Sequence, residues 1–149
     1  MTVFGALEEL RQRPIAGQAQ ARAARQDYRR RIPIARDNAG SRLNVNADTA
    51  AGAVAAAMKA EKLVVVSDTH GIRSDPKNPE SRCPHLTVNG IQEMVKTGAI
   101  SAGMLPKVEA CITALQAGVG KAHIIDGRIP HSLLLEIYTQ AGIGTEIVL

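Results

Sequence analysis

Aromatic residues are nearly absent: they make up 2% of the 149 residues, with one Phe, two Tyr and no Trp. A core without large rings must be built from Ala, Val, Ile and Leu, as in sheets covered on both faces by helices. Cysteine is also scarce, and Cys83 and Cys111 alone make a disulfide framework an unsuitable reading. No apolar run approaches the ~20 residues of a membrane-spanning helix, and no stretch reads as a signal peptide. A reduced, cytoplasmic protein that inserts in no membrane is the expectation.

What is present is 45% hydrophobic residues, ample for one domain. The formal net charge of +4 sits at one end: residues 1–31 carry seven Arg against Glu8, Glu9 and Asp27, while residues 32–149 carry eleven basic and eleven acidic residues. This places a boundary near residue 31, with a basic leader, helical or disordered, at 1–31 and a folded part at 32–149. The Arg-rich run with Tyr28 has the composition of a nucleic-acid contact, but a solvated segment explains it better, and no nucleic-acid partner is expected.

Along the folded part, Ile32 to Ala35 reads as a short strand and Ala47 to Lys59 as a helix with Ala51, Val54, Ala55 and Met58 on one face. Leu63-Val64-Val65-Val66 reads as a buried parallel strand that ends in the polar Ser67-Asp68-Thr69-His70-Gly71. Residues 72–86, with three prolines among charges, form an exposed excursion or small hairpin. Thr87 to Val95 starts a helix that Gly98 ends, and Met104, Val108, Cys111, Ile112 and Leu115 mark another that Gly118 stops. Ala122 to Ile125 is a buried strand, Pro130 opens a helix through about Thr139, and Thr145 to Leu149 is a last strand. This order predicts an α/β fold.

Asn44-Val45-Asn46-Ala47-Asp48, before the small-residue run 49–53, puts two amides and a carboxylate at a junction between loop and helix. Asn46 or Asp48 can cap that helix, and the first-turn N–H groups attract anions. Further on stand Gly103-Met104-Leu105-Pro106-Lys107-Val108-Glu109 and Asp126-Gly127-Arg128-Ile129-Pro130-His131-Ser132-Leu133-Leu134-Leu135-Glu136. With Asp68-Thr69-His70-Gly71-Ile72, these motifs resemble, in order, the acetylglutamate kinases of the amino acid kinase family. The resemblance covers residues 32–149 and corresponds to the C-terminal, nucleotide-binding part of such an enzyme.

The resemblance implies a partial three-layer α/β/α sandwich of the amino acid kinase type with a mostly parallel sheet. It implies transfer of the γ-phosphoryl group of ATP, carried as its Mg2+ complex, to the side-chain carboxylate of N-acetyl-L-glutamate, in arginine biosynthesis. Lys107 matches the lysine that stabilises the transition state and Asp48 the aspartate that organises the catalytic lysines. Asn44, and more weakly Asn46, match substrate contacts. Asp68, Thr69, His70, Gly71, Ile72 and Arg73 match a nucleotide-contacting loop, and Ala99, Ile100 and Ser101 a second such segment. Ala102 departs from the family's usual Gly, which is tolerable only with negative φ. Glu136, Gly142 and Gly144 resemble the site that binds L-arginine as inhibitor, and the full-length family implies a homo-oligomer.

Residues 1–31 hold no match to the family's first catalytic lysine, its glycine-rich phosphate loop or its substrate-gripping arginine. A fragment inactive by itself is therefore expected, and a non-catalytic nucleotide- or arginine-binding module is the alternative. Gly118-Val119-Gly120-Lys121 is not a phosphate loop, because Ala122 stands where Ser or Thr is required. His70, Cys83, His85 and Cys111 lack compact zinc spacing, so no metal site is expected.

Overall fold

A computed structural model describes residues 41–149 and the backbone of Ile34–Arg36. The basic leader and its expected helices lie outside the described residues. β1 (Ile34–Arg36) pairs antiparallel with β2 (Arg42–Asn44), Ile34 opposite Asn44, as a ribbon apart from the main sheet. Asn44 thus ends a strand, with two residues between it and the first described helix, α1 (Ala47–Ala57).

The main sheet has the order β3-β5-β6-β4. β3 (Lys62–Ser67) runs parallel to β5 (Lys121–Asp126), which runs antiparallel to β6 (Thr145–Val148), itself parallel to β4 (His85–Thr87). Between strands lie α2 (Val88–Lys96), α3 (Leu105–Gln116) and α4 (Ser132–Tyr138). Leu63, Val65, Ala122, Ile124 and Ile147 point to one face of the sheet and join Ala55, Ile91, Val108 and Leu115 in a single aliphatic core. Helices α1, α2 and α3 cover that face, and α4 packs against β5. An α/β architecture with a mostly parallel sheet results, as the composition and element order predict.

Two packing expectations need correction. The valines of β3 are not all buried: Leu63 and Val65 are, Val64 is half-buried and Val66 is 60% exposed. Among the described residues β3 has a neighbour on one side only, and its second face lies beyond the cover of α4. In α1, Val54 is exposed, and the buried positions are Gly52 and Ala55. Gly52 faces α3 so closely that a Cβ there would lie 2.7 Å from the Ala110 carbonyl oxygen. Such contact lets two helices of small residues approach, and the larger Val54 is turned outward.

Helix ends follow local chemistry. The Asn46 side chain accepts hydrogen bonds from the N–H groups of Asp48 (2.9 Å) and Thr49 (3.1 Å), so Asn46 is the cap and Asp48 lies in the first turn. Thr87 caps α2 through the Gly90 N–H. Pro106 occupies the first turn of α3, where no N–H is needed. Pro130 does not open α4. His131 intervenes with a left-handed φ of 58°, and the helix starts at Ser132. The excursion after Ile72 is a small hairpin, with Arg73 bridged antiparallel to Arg82.

Candidate functional site

Short turns join α1 to β3 and α3 to β5, so each helix runs back along the sheet from its strand. Both helix N-termini therefore lie at the edge where β3 and β5 end. Asp48, Lys107, the loop after Ser67 and the turn after Asp126 share that edge, the usual ligand crevice of an open α/β sheet.

Lys107 Nζ lies 3.0 Å from Asp48 Oδ2, and both side chains are about four-fifths buried, at 22% and 20% exposure. The pair crosses between α1 and α3, anchored by the Gly52 contact one turn further along. Asn44 and Asn46 are exposed on the approach to α1; the Asn46 oxygen is occupied by its cap bonds.

The 68–73 loop presents its residues unequally. Asp68 and His70 are exposed, whereas Ile72 is a core residue whose N–H donates to Thr145 Oγ1 at 2.8 Å. Gly71 has φ 89°, and a Cβ there would meet Thr145 Oγ1 at 2.6 Å, so only glycine allows this turn. In the second segment Ile100 is buried, Ser101 is exposed, and Ala102 is not among the positive-φ residues, which meets the condition for replacing glycine. Any contact from Ile72 or Ile100 to a ligand must come from the backbone.

Asp126 and Arg128 complete this edge, and the sequence reading missed both as site residues. The fully buried Asp126 carboxylate accepts from the Arg128 N–H (2.8 Å), Nε (3.0 Å) and Nη2 (2.7 Å), and lies 3.0 Å from His70 Nδ1. The Arg128 guanidinium holds its pKa down, against burial, to about 2. The spacing Asp-Gly-Arg at a strand end is the available signal, because an Asx turn brings residue i+2 back onto the carboxylate.

Glu136, Gly142 and Gly144 meet on the opposite face of the sheet. Glu136 Oε2 accepts from the N–H groups of Ile143 (2.7 Å) and Gly144 (2.9 Å), and Oε1 lies 2.7 Å from His123 Nδ1. Burial raises the Glu136 pKa, but the His123 hydrogen bond and those two N–H groups outweigh it, leaving a net lowering. His123, unanticipated from sequence, is buried, and its Nε2 has no hydrogen-bond partner; Glu146 Oε1 stands 3.9 Å away and is held by Lys121 at 2.6 Å.

Among the described residues no group of three or more His, Cys, Asp or Glu is arranged to hold a metal ion, and no helix is long and apolar enough to cross a membrane.

Comparisons with known proteins agree with this architecture. The acetylglutamate kinase of Synechococcus sp. is 56% identical over 115 residues, and that of Methanothrix thermoacetophila 54%. The aligned part is 77% of this chain but 38% and 40% of those proteins, so the chain spans about two-fifths of their length. Among solved structures, an N-acetylglutamate synthase from Neisseria gonorrhoeae, complexed with coenzyme A and L-arginine, superposes with a TM-score of 0.70 at 28% identity. It covers 78% of this chain and 26% of its own. A Giardia lamblia carbamate kinase bound to AMP-PNP gives 0.58 at 25% identity, over 78% of this chain and 37% of that one. The sequence profile of the amino acid kinase family matches residues 14–126, three-quarters of the length, and on that match and this fold the chain belongs to the amino acid kinase family.

Proposed function

We propose that this chain is the nucleotide-binding part of an acetylglutamate kinase, which phosphorylates the side-chain carboxylate of N-acetyl-L-glutamate with MgATP. The observation that carries the reading is the Lys107–Asp48 pair at the sheet edge beside the 68–73 loop. Both reactants are anionic, so the chemistry requires in-line positioning and cations that screen charge as it builds on the transferred group. Asp48 orients the Lys107 ammonium, and Lys107 meets the phosphates. Asp68, Thr69, His70, Gly71 and Arg73, with Ala99 and Ser101, hold the nucleotide, and Asn44 with Asn46 the acetylglutamate. Magnesium travels on the phosphates as part of the substrate.

A second site on the opposite face takes L-arginine. Glu136 is buried with its pKa lowered, and the neighbouring Gly144 carbonyl already accepts a hydrogen bond from the Arg82 guanidinium, the chemistry that a ligand guanidinium would repeat here. Its occupation is the basis for feedback inhibition in the complete, homo-oligomeric enzyme.

Calorimetric titration of the chain with MgATP, N-acetyl-L-glutamate and L-arginine separately, alongside a coupled phosphorylation assay, tests these assignments. MgATP binding weakened in Lys107→Ala, and arginine binding lost in Glu136→Gln, are the expected results. Binding without turnover is expected of the chain alone and would mark it as a ligand-binding module; absence of all three heats rejects the reading.

A further inference from the structure

The turn after β5 holds one side chain flat. The Asp126 carboxylate has no solvent exposure, and its hydrogen bonds come from Arg128: the backbone N–H at 2.8 Å, Nε at 3.0 Å and Nη2 at 2.7 Å. Nε and Nη2 grip the carboxylate edge-on as a fork, which fixes the plane of the guanidinium as well as its position. The turn itself is pinned to the end of β3. The Gly127 N–H donates to the Ser67 carbonyl at 2.8 Å, and a Cβ at 127 would meet Val66 Cγ1 at 2.5 Å. Arg128 is thereby set beside the 68–73 loop at the crevice edge, with its side chain 61% exposed. Three of its five N–H groups are not spent on Asp126.

We propose, resting on the nucleotide reading above, that Arg128 is the surface on which the base of the nucleotide stacks, and that Asp126 is the positioning residue that holds its guanidinium flat. A guanidinium stacks on an aromatic ring through its face, and in-plane pairing with a carboxylate does not use that face. Charge selects the base over the phosphates. Two carboxylates, Asp126 and Asp68, bear on Arg128, whereas Lys107 is paired with Asp48 alone, so a triphosphate goes to Lys107. Aromatic side chains offer no other platform: Tyr138, the single Phe, Tyr or Trp among the described residues, ends α4 on the opposite face of the sheet. His70, the other planar group at this edge, meets Asp126 by charge alone, which fixes no ring plane.

The test reads the stack and the affinity separately, on the full chain. The Arg128 Nε–H, bonded to a buried carboxylate, should give its own proton–nitrogen NMR resonance. MgATP or adenosine should move that resonance upfield, because a ring lying over the guanidinium shields it; tripolyphosphate, which has no ring, should not. Equilibrium titration then compares the same three ligands in Arg128→Lys, which keeps the charge and a donor for Asp126 but has no flat face. MgATP and adenosine should each bind about tenfold more weakly than to the wild type, the value of one stacked base, with tripolyphosphate unchanged.

Wild-type chain that binds MgATP without an upfield shift at Arg128 overturns the proposal, whether or not the lysine variant folds. A folded Arg128→Lys chain with unchanged affinities also overturns it. So does a loss shared by MgATP and tripolyphosphate but not adenosine, which would make Arg128 a phosphate contact. Failure of the wild type to bind either MgATP or adenosine instead overturns the nucleotide reading itself.

Discussion

Lys107 Nζ stands 3.0 Å from Asp48 Oδ2, although 59 residues separate the two in the chain. Helices α1 and α3 bring them together at one edge of the sheet, where each partner is partly shielded from water. Removing one partner of a pair about four-fifths shielded from water leaves the other charge poorly satisfied, which should cost about 1–3 kcal/mol. Lys107→Ala should therefore lower the urea midpoint modestly while abolishing most function. In an assay of turnover with the complete enzyme's elements present, the loss should be about 10²–10³-fold, as for other donors aimed at developing charge. A large fall in stability with a small fall in rate would reassign the pair to scaffolding.

Close packing of α1 on α3 predicts a cost for one methyl group. Gly52→Ala would set its Cβ 2.7 Å from the Ala110 carbonyl oxygen, which belongs to helix backbone and yields poorly. A destabilisation of about 1–3 kcal/mol is expected from urea denaturation. Val54→Ala, on the exposed side of the same helix, should change stability by under about 0.5 kcal/mol.

Thr145 ties the sheet to the 68–73 loop. Its buried hydroxyl accepts from the Ile72 N–H at 2.8 Å and donates to the Cys83 carbonyl at 2.7 Å. Thr145→Val keeps the volume but leaves both backbone groups unpaired, which should cost about 1–3 kcal/mol. Hydrogen exchange at Ile72 should accelerate selectively.

Acid should loosen the edge that holds Asp126. The folded-state pKa, about 2, lies below the ordinary 3.8, so its stabilising contribution is complete above that ordinary value and is lost as pH falls toward 2. Glu136 and Glu146 are lowered as well and act in the same direction. Stability followed by circular dichroism should decline through that acid window, and Asp126→Asn should flatten the decline.

Cysteine reactivity should separate the two thiols. Burial, aided by the charge of Asp48, pushes the Cys111 thiol up to about 12. Iodoacetamide at mildly alkaline pH should spare Cys111 in the folded chain and modify it after denaturation, whereas the half-buried Cys83 should react first. Equal native rates would place the α3 face of the core in water.

Element type and order came from local patterns in the sequence: the Asn46 cap, the branched run before Ser67, and glycine stops at 98 and 118 each act within one turn or one strand. The stretches around Asp48, Lys107 and residues 68–73 could be singled out as motifs for the same reason, since each is contiguous. Only the tertiary structure decided which faces were covered. Strand β4 has three residues and no strong pattern, and exists because it pairs with β6 about sixty positions away. Val54 and Val66 face outward because close helix approach and sheet position override their hydrophobicity. His123 meets Glu136, and His70 meets Asp126, across elements whose spacing no local periodicity encodes. Short-range hydrogen bonding and periodicity are properties of neighbouring residues, whereas burial and long-range pairing depend on how the elements dock.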